Sequence, residues 1–330
     1  MKIKSQIVAF KETFLQAVET LKGKKVAVMG HQRPDGDSFG SQIALVRCLR
    51  ELGVDAVGLS EDPLPGRISC FTGDTPYYFT KDFDHSGYGI VTVDSAEITR
   101  IGELGKTDGF EVLLNIDHHI SNQGYAKFNI VVPDAAATCE VLATLFLELD
   151  LLVDPTMAEA LYLGVNTDTG RFKYSSTSEN VFRICADLCK CGANIAHVSR
   201  ALYGQFTFNR FQLLTRFLQS IQLNKAGNVG VGVLTFKDYE ETETVRNQTE
   251  GFVEYVRSIK GVAVAVFIEK NENSYKSSLR SLDGGVRVDL VAAQFGGGGH
   301  KTAAGLSIDN YDAGRDFKVD LIAAIEKKLN

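Results

Sequence analysis

The chain reads as an α/β protein: a mostly parallel sheet flanked by helices, followed by a smaller α/β domain. Three observations predict this. Short apolar runs alternate with stretches of helical periodicity from Lys25 to about residue 205. Aspartates and histidines collect just past the ends of several apolar runs, where open α/β sheets gather their ligands. After Asn224 the alternation restarts over a shorter length. At 330 residues two domains are expected, and 44% hydrophobic residues suffice for two cores. The expected division is 1–205 for the first domain, 206–225 for a connecting helix and linker, and 226–330 for the second.

The amino-terminal MKIKSQIVAFKETFLQAVETLKG carries Ile7, Phe10, Phe14, Leu15, Val18 and Leu21 at helical spacing, with polar residues between them. That pattern predicts an amphipathic helix and not a secretory leader. There is no run of about 18 apolar residues, so no membrane span is read and a cytoplasmic protein is expected. Lys25 to Gly30 predicts a strand, Ser38 to Leu52 a helix, and 54–59 a second strand. Strands at 88–93 and 110–116 follow, then a short apolar run, Phe128 to Val132. Helical patterns cover Ala137 to Leu149, Pro155 to Val165, Glu179 to Cys191 and Ile195 to Leu202. Continuous apolar strands separated by helices predict a parallel sheet covered on both faces. Phe208, Phe211, Leu214, Phe217, Leu218 and Ile221 mark a further helix. In the second domain strands are expected at 229–236, 262–269, 275–281 and 303–308, and helices at 248–260, 289–295 and 312–328.

The residues at the strand ends carry the chemistry. Asp117, His118 and His119 follow the strand FEVLLNI; His31, Asp35 and Asp37 lie in HQRPDGDS after the first strand. Asp94 ends YGIVTV, and Asp168 lies in NTDTG after a helical run. Converging, these segments would put two or more histidines and several carboxylates in one pocket. Such crowding of like charge is unfavourable unless cations neutralise it. Carboxylate and imidazole donors without thiolate suit Mn²⁺, Co²⁺, Fe²⁺ or Mg²⁺. Six side chains exceed one tetrahedral ion but suit two octahedral ions sharing a carboxylate. Two ions roughly 3.5–4 Å apart are a standard device for phosphate-ester hydrolysis. Gly36 between Asp35 and Asp37 lets the backbone turn so that both carboxylates face one way.

HQRPDGDS, the strand ending in Asp94, NIDHH and NTDTGRF resemble the four ordered motifs of the DHH phosphoesterase superfamily. GGGGHKTAAG, Gly296 to Gly305, resembles the hallmark of its accessory DHHA1 domain. The resemblance spans nearly the whole chain. At this size it is most similar to the bifunctional oligoribonuclease and 3′-phosphoadenosine-5′-phosphate (pAp) phosphatase group, the nanoRNases. The resemblance implies His31 and Asp35 as ligands of a first metal, Asp37, His118 and Asp168 as ligands of a second, and Asp94 as the bridge. Mn²⁺ is the expected ion, with Co²⁺ or Mg²⁺ as substitutes. It implies that Asp117 orients the ligand histidine or contributes directly, and that His119 contacts the phosphoryl group or protonates the leaving oxygen. Gly297, Gly298 and Gly299, read as a loop with unshielded amides, and His300 and Arg280 are expected to bind substrate phosphate or base across a cleft. Arg171, Phe172 and Tyr174 follow Asp168 closely and are candidates to line the pocket. A homodimer is also implied.

The formal charge of −6 argues against a protein that grips long nucleic acid, which usually shows a basic footprint. Short oligoribonucleotides, dinucleotides or pAp remain compatible; a long duplex does not. Cys185, Cys189 and Cys191 match no common zinc spacing and read as buried reduced thiols. His85, in a polar turn, reads as surface, and His197, on a helix, as structural. Other readings are a cyclic or linear dinucleotide phosphodiesterase, a pyro- or polyphosphatase, and a non-catalytic nucleotide receptor. The glycine-rich motif disfavours a pyrophosphatase, and the intact ligand positions disfavour a receptor.

Overall fold

A computed structural model of the chain describes residues 2–107, 111–272, 274–282, 285–311 and 315–329, and at His300 the backbone only. The chain forms two compact units, Met1–Gln205 and Phe206–Asn330.

The first unit is built on six parallel strands: β1 (Lys25–Met29), β2 (Asp55–Ser60), β3 (Tyr77–Phe79), β4 (Gly89–Val93), β5 (Val112–Asp117) and β6 (Phe128–Val131). Their spatial order is β3-β2-β1-β4-β5-β6. The winding reverses between β1 and β4, so the carboxyl ends of these two strands open on a topological switch point, where ligands of such sheets bind. Among the described residues, eight α-helices accompany the sheet: α1 (Lys2–Val8), α2 (Lys11–Leu21), α3 (Gly36–Glu51), α4 (Gly66–Ser69), α5 (Thr138–Glu148), α6 (Pro155–Asp168), α7 (Glu179–Lys190) and α8 (Ile195–Tyr203).

The side-chain alternation of β1 shows both faces. Val26 and Val28 join the larger core with Phe39, Ile43, Leu142 and Leu161 from the helices. Ala27 and Met29 point the other way, into a smaller cluster with Leu59, Ile90, Val112 and Ile101. The helices thus supply the cover of one face. The second face is closed by short 3-10 turns at Ile98–Ile101 and Glu103–Lys106, with Phe83 and Tyr125 packed alongside. Apolar strand runs report burial on both faces but not what buries them.

Other differences are local. The amphipathic amino-terminal segment breaks into α1 and α2 at Ala9 and Phe10. Helix α3 starts at Gly36, two residues before the expected Ser38, because Asp35 caps it: one carboxylate oxygen accepts from the amides of Asp37 and Ser38, each at 3.0 Å. Helix α6, capped by Asp154 with Pro155 at its first position, runs on to Asp168.

Helices α3 and α6 cross closely, and glycine makes this possible. A Cβ on Gly40 would stand 2.2 Å from the Ala160 carbonyl oxygen. One on Gly164 would stand 2.3 Å from Cys139 Sγ and 2.7 Å from Asp37 Oδ1. The crossing therefore brings Asp37 beside the carboxyl-terminal half of α6.

The second unit contains α9 (Phe208–Ser220), β7 (Gln222–Leu223), β8 (Val229–Thr235), α10 (Phe236–Glu241), α11 (Phe252–Arg257), β9 (Val264–Lys270), β10 (Ser274–Ser281), α12 (Val288–Ala293), β11 (Gly298–His300), β12 (Ala303–Asp309) and α13 (Phe317–Leu329). Its strand order is β11-β12-β10-β9-β8-β7. Only β8 and β9 pair in parallel; the other described pairings are antiparallel. Helix α9 packs inside this unit, with Phe217 against Phe252 and Phe267 at ring separations of 5.2 and 5.0 Å. The helix expected over 248–260 is interrupted. Gly251 has φ +83, so a 3-10 turn, Arg246–Thr249, precedes the short α11.

Candidate active site

The structure brings the aspartates and histidines from the first unit's motifs together at the carboxyl end of the sheet. Three groups of donors can each converge on a point: His31, Asp35 and Asp94; Asp37, His118 and Asp168; and, overlapping these, Asp94, His118 and His119. In each group the donor atoms lie within 4.8 Å of one another. Asp94 belongs to the first group by one oxygen and approaches the second by the other. Its Oδ2 is 3.5 Å from His31 Nε2, and its Oδ1 is 3.6 Å from His118 Nε2. His118 Nε2 also lies 3.4 Å from Asp168 Oδ2 and 3.9 Å from Asp37 Oδ2. His31 Nε2 is 3.7 Å from Asp35 Oδ2.

Local structure explains each position. Asp94 follows β4 with φ +50, an uncommon conformation for a non-glycine residue, while its amide donates to the Ile116 carbonyl at 3.0 Å. Asp37, fully buried, is held from the far side by the amino terminus of α5. The Thr138 and Cys139 amides donate to its two oxygens at 2.6 and 2.8 Å, and Thr138 Oγ1 donates to Asp94 at 3.2 Å. The ring of His118 is fixed by Nδ1 against the Ala135 carbonyl at 3.2 Å, which leaves Nε2 facing the carboxylates. Glu140 braces that loop, accepting from the Ala136 amide at 2.6 Å and from Asn180 at 2.8 Å.

Asp117 departs from expectation. Its ring contact is with His119, not with His118: Oδ1 meets His119 Nδ1 at 2.8 Å, and His118 contributes only its amide, at 2.8 Å. Asn122 holds the other oxygen at 2.7 Å. This leaves His119 Nε2 free of that contact. Burial works against protonation of His119, but the Asp117 hydrogen bond and the charges of Asp94 and Asp117 raise its pKa on balance, with the Arg100 charge opposing them.

The electrostatics test whether the donors fit divalent ions. Burial, then the Asp94 charge, pushes the Asp37 carboxyl up to about 7. Burial and the charges of Asp37, Asp35 and Asp94 drive Asp168 well above the usual carboxylate range. His31 loses basicity to burial, yet its hydrogen bonds to Asp35 and Asp94 carry it up to about 11. Protons thus stand in for missing positive charge. The nearby sulfur, Cys139, is buried and its thiol is driven far up, so the donor set is oxygen and nitrogen. These residues fit hard or borderline divalent cations.

The second-unit candidates are placed differently. The glycine run is not a free loop: Gly298–His300 forms edge strand β11, with Gly299 opposite Ala304 and His300 opposite Ala303. The glycines permit that hairpin, since a Cβ on Gly297 would meet the Gly305 carbonyl oxygen at 2.3 Å and one on Gly299 the Ala303 oxygen at 2.6 Å. The side chain of His300 lies outside the described residues. Arg280 stands opposite Ala303, in the same row as His300. Its Nε is 3.6 Å from Glu254 and its Nη1 donates to the Leu279 carbonyl at 3.0 Å.

Arg171 and Phe172, just after Asp168, have φ +63 and +61. Arg171 lies over the Tyr203 ring at 3.6 Å, Phe172 stacks on Phe182 at 5.5 Å, and Tyr174 covers Gly170. His197 contacts Glu159 at 3.2 Å, and His85 meets the Phe83 carbonyl at 3.2 Å. Cys185 is buried, but Cys189 is exposed and Cys191 half-buried, against the expectation of buried thiols; none of the six cysteines is in a disulfide. The residues the sequence reading missed are Thr138, Cys139, Asn122 and Glu140. Only the last two are polar enough to stand out, and neither lies in a motif with the ligands.

A parallel sheet with this cluster at its switch point, followed by a smaller mixed-sheet unit, defines a class. Residues 25–165 match the DHH family, N-terminal domain, and residues 228–329 match the DHHA1 domain. The chain belongs to the DHH–DHHA1 family and is a phosphoesterase. The bifunctional oligoribonuclease and PAP phosphatase NrnA of Thermus thermophilus is 30% identical over 303 residues, 92% of this chain and 90% of that protein. Its Bacillus subtilis namesake is 27% identical over 299 residues, 88% and 91% of the two chains. An exopolyphosphatase-related protein from Bacteroides fragilis shares the fold with TM-score 0.85 at 24% identity, covering 97% of this chain and 95% of that one. Exonuclease RecJ bound to manganese shares it at TM-score 0.50 and 17% identity, covering 99% and 94%.

Proposed function

We propose that the chain hydrolyses short oligoribonucleotides to mononucleotides and pAp to AMP, with two divalent ions at the aspartate–histidine cluster. The observation that carries this reading is the placement of Asp94 between the two donor groups, in a chain whose relatives over nine-tenths of its length are named for those two activities. His31, Asp35 and Asp94 would hold one ion, and Asp37, Asp94, His118 and Asp168 the other. Bound there, the ions would supply an activated water and neutralise charge on the phosphoryl oxygens.

The chain's own residues do the rest. The α5 amides keep Asp37 aimed at the centre, and the Ala135 carbonyl fixes the His118 tautomer. Asp117 fixes Nδ1 of His119, whose Nε2 donates a proton to the departing ribose oxygen. Burial of Asp37, Asp94 and Asp117 keeps bulk water from competing for them. In the second unit Arg280 and Gly297–His300 are the residues proposed to bind phosphate or base. Arg280 gives up its Glu254 contact to do so. Mn²⁺ is the proposed ion, and the protein is proposed to work in the cytoplasm as a homodimer.

Mass-spectrometric identification of products from a 5′-phosphorylated diribonucleotide and from pAp tests this. With Mn²⁺ present, mononucleotides and AMP are expected; with EDTA, neither. Turnover that survives complete metal removal would overturn the two-ion reading.

A further inference from the structure

Arg100 differs from the other partly buried cations of the first unit. It lies in the 3-10 turn Ile98–Ile101, a few residues after Asp94. Its carbonyl accepts from the Gln32 amide at 2.7 Å, so its backbone abuts the loop that carries His31. The side chain is half-buried. It is near enough to His119 for its charge to oppose protonation of that ring. Burial pushes the Tyr125 hydroxyl up to about 12, and the same guanidinium opposes that shift as well. Tyr125 in turn donates to the Ser95 carbonyl at 2.9 Å, next to Asp94.

Among the described residues no hydrogen bond, ion pair or ring contact holds this guanidinium. Arg47 shows what a structural arginine does in this unit: it bridges Asp74 and Asp154 at 2.6 and 2.7 Å. Arg100 pairs with no carboxylate among the described residues. A half-buried donor fork without acceptors is costly unless something else supplies them. A phosphate does so, since the planar guanidinium matches two of its oxygens at once.

We propose that Arg100 is a substrate-binding residue whose guanidinium takes two non-bridging oxygens of the phosphoryl group lying beside Asp94 and His119. The assignment rests on the phosphoesterase reading given above. Arg100 orients the phosphoryl group, so that the oxygen leaving phosphorus faces His119. It also offsets the charge that gathers on the other oxygens. It is no metal ligand. Its backbone contact to Gln32 survives any side-chain change.

The test compares wild type with Arg100→Ala and Arg100→Lys. Turnover of a diribonucleotide and of pAp is measured with Mn²⁺, alongside Mn²⁺ binding and calorimetric binding of AMP and inorganic phosphate. Arg100→Ala is expected to lose roughly ten- to a hundredfold in kcat/KM, as for one charged contact to phosphate. Mn²⁺ binding stays intact and AMP binding weakens. Arg100→Lys restores little, because the charge returns without the fork. Added guanidinium ion partly restores Arg100→Ala and leaves wild type unchanged. Unaltered kcat/KM and AMP affinity in Arg100→Ala would overturn the assignment, as would loss of Mn²⁺ binding in both variants. If wild type itself turned over neither substrate, the proposed function would fall. The AMP and phosphate affinities would still decide for or against Arg100.

Discussion

Asp94 joins the two donor groups, so at the scale of single residues it carries the strongest expectation. Asp94→Ala should abolish Mn²⁺-dependent turnover and lower the number of ions bound, read by calorimetry or by Mn²⁺ paramagnetic resonance. Full stoichiometry with lost turnover would mean that Asp94 touches substrate and not metal. Asp117→Asn tests a different role. Its carboxamide must place NH₂ either against Asn122 Nδ2 or against the amides and ring nitrogen it now accepts. His119 should lose its fixed tautomer, with turnover falling by about 10²–10⁴-fold, as for a lost general acid, while ion binding persists. Wild-type kcat in Asp117→Asn would remove His119 from the chemistry. The donors were legible in the sequence because six aspartate and histidine positions follow apolar strands or end a helix. Their supports were not. Thr138 and Cys139 act through backbone amides, which every residue has, and they reach Asp37 across 101 and 102 positions of sequence.

Among the elements, the α3–α6 crossing shapes the site. Helix periodicity predicted both helices but not their distance, which depends on Gly40 and Gly164 having no Cβ. Gly164→Ala should force Cys139 or Asp37 to move, at a cost of about 1–3 kcal/mol of stability. Mn²⁺ affinity should fall with it. Gly66→Ala is the control, since a Cβ there meets nothing within 4 Å. Thermal unfolding and Mn²⁺ titration of both variants check this; equal behaviour would show that the crossing relaxes freely. The glycine run of the second unit has the same lesson in reverse. Its four glycines read as an open loop, whereas Gly297 and Gly299 are required by close approach to β12 in a hairpin. Composition alone does not distinguish glycine that frees a backbone from glycine that lets two backbones meet.

For the whole molecule, the alternating pattern was enough to give the parallel sheet and the smaller second unit. The break at Gly251 and the one-sided helix cover depend on tertiary packing and were not readable. Electrostatics supplies a further expectation. Folding raises the carboxyls of Asp37, to about 7, and of Asp168 above their unfolded values. Their contribution to metal-free stability is therefore present in full at acid pH and is lost as pH rises toward neutrality. A divalent ion binds the ionised form, so Mn²⁺ should raise the unfolding temperature more at pH 8 than at pH 5. Equal shifts at both values would argue that the ion binds elsewhere. The acidic charge of −6 is compatible with short anionic substrates, the class proposed above. The most direct measurement is a product time course on end-labelled RNAs from two to about twenty nucleotides, with Mn²⁺ and with pAp alongside. Stepwise release of mononucleotides is expected, with highest efficiency on the shortest chains and a steep fall for a substrate roughly ten times longer. Equal rates at all lengths, or internal cleavage products, would contradict the proposed function.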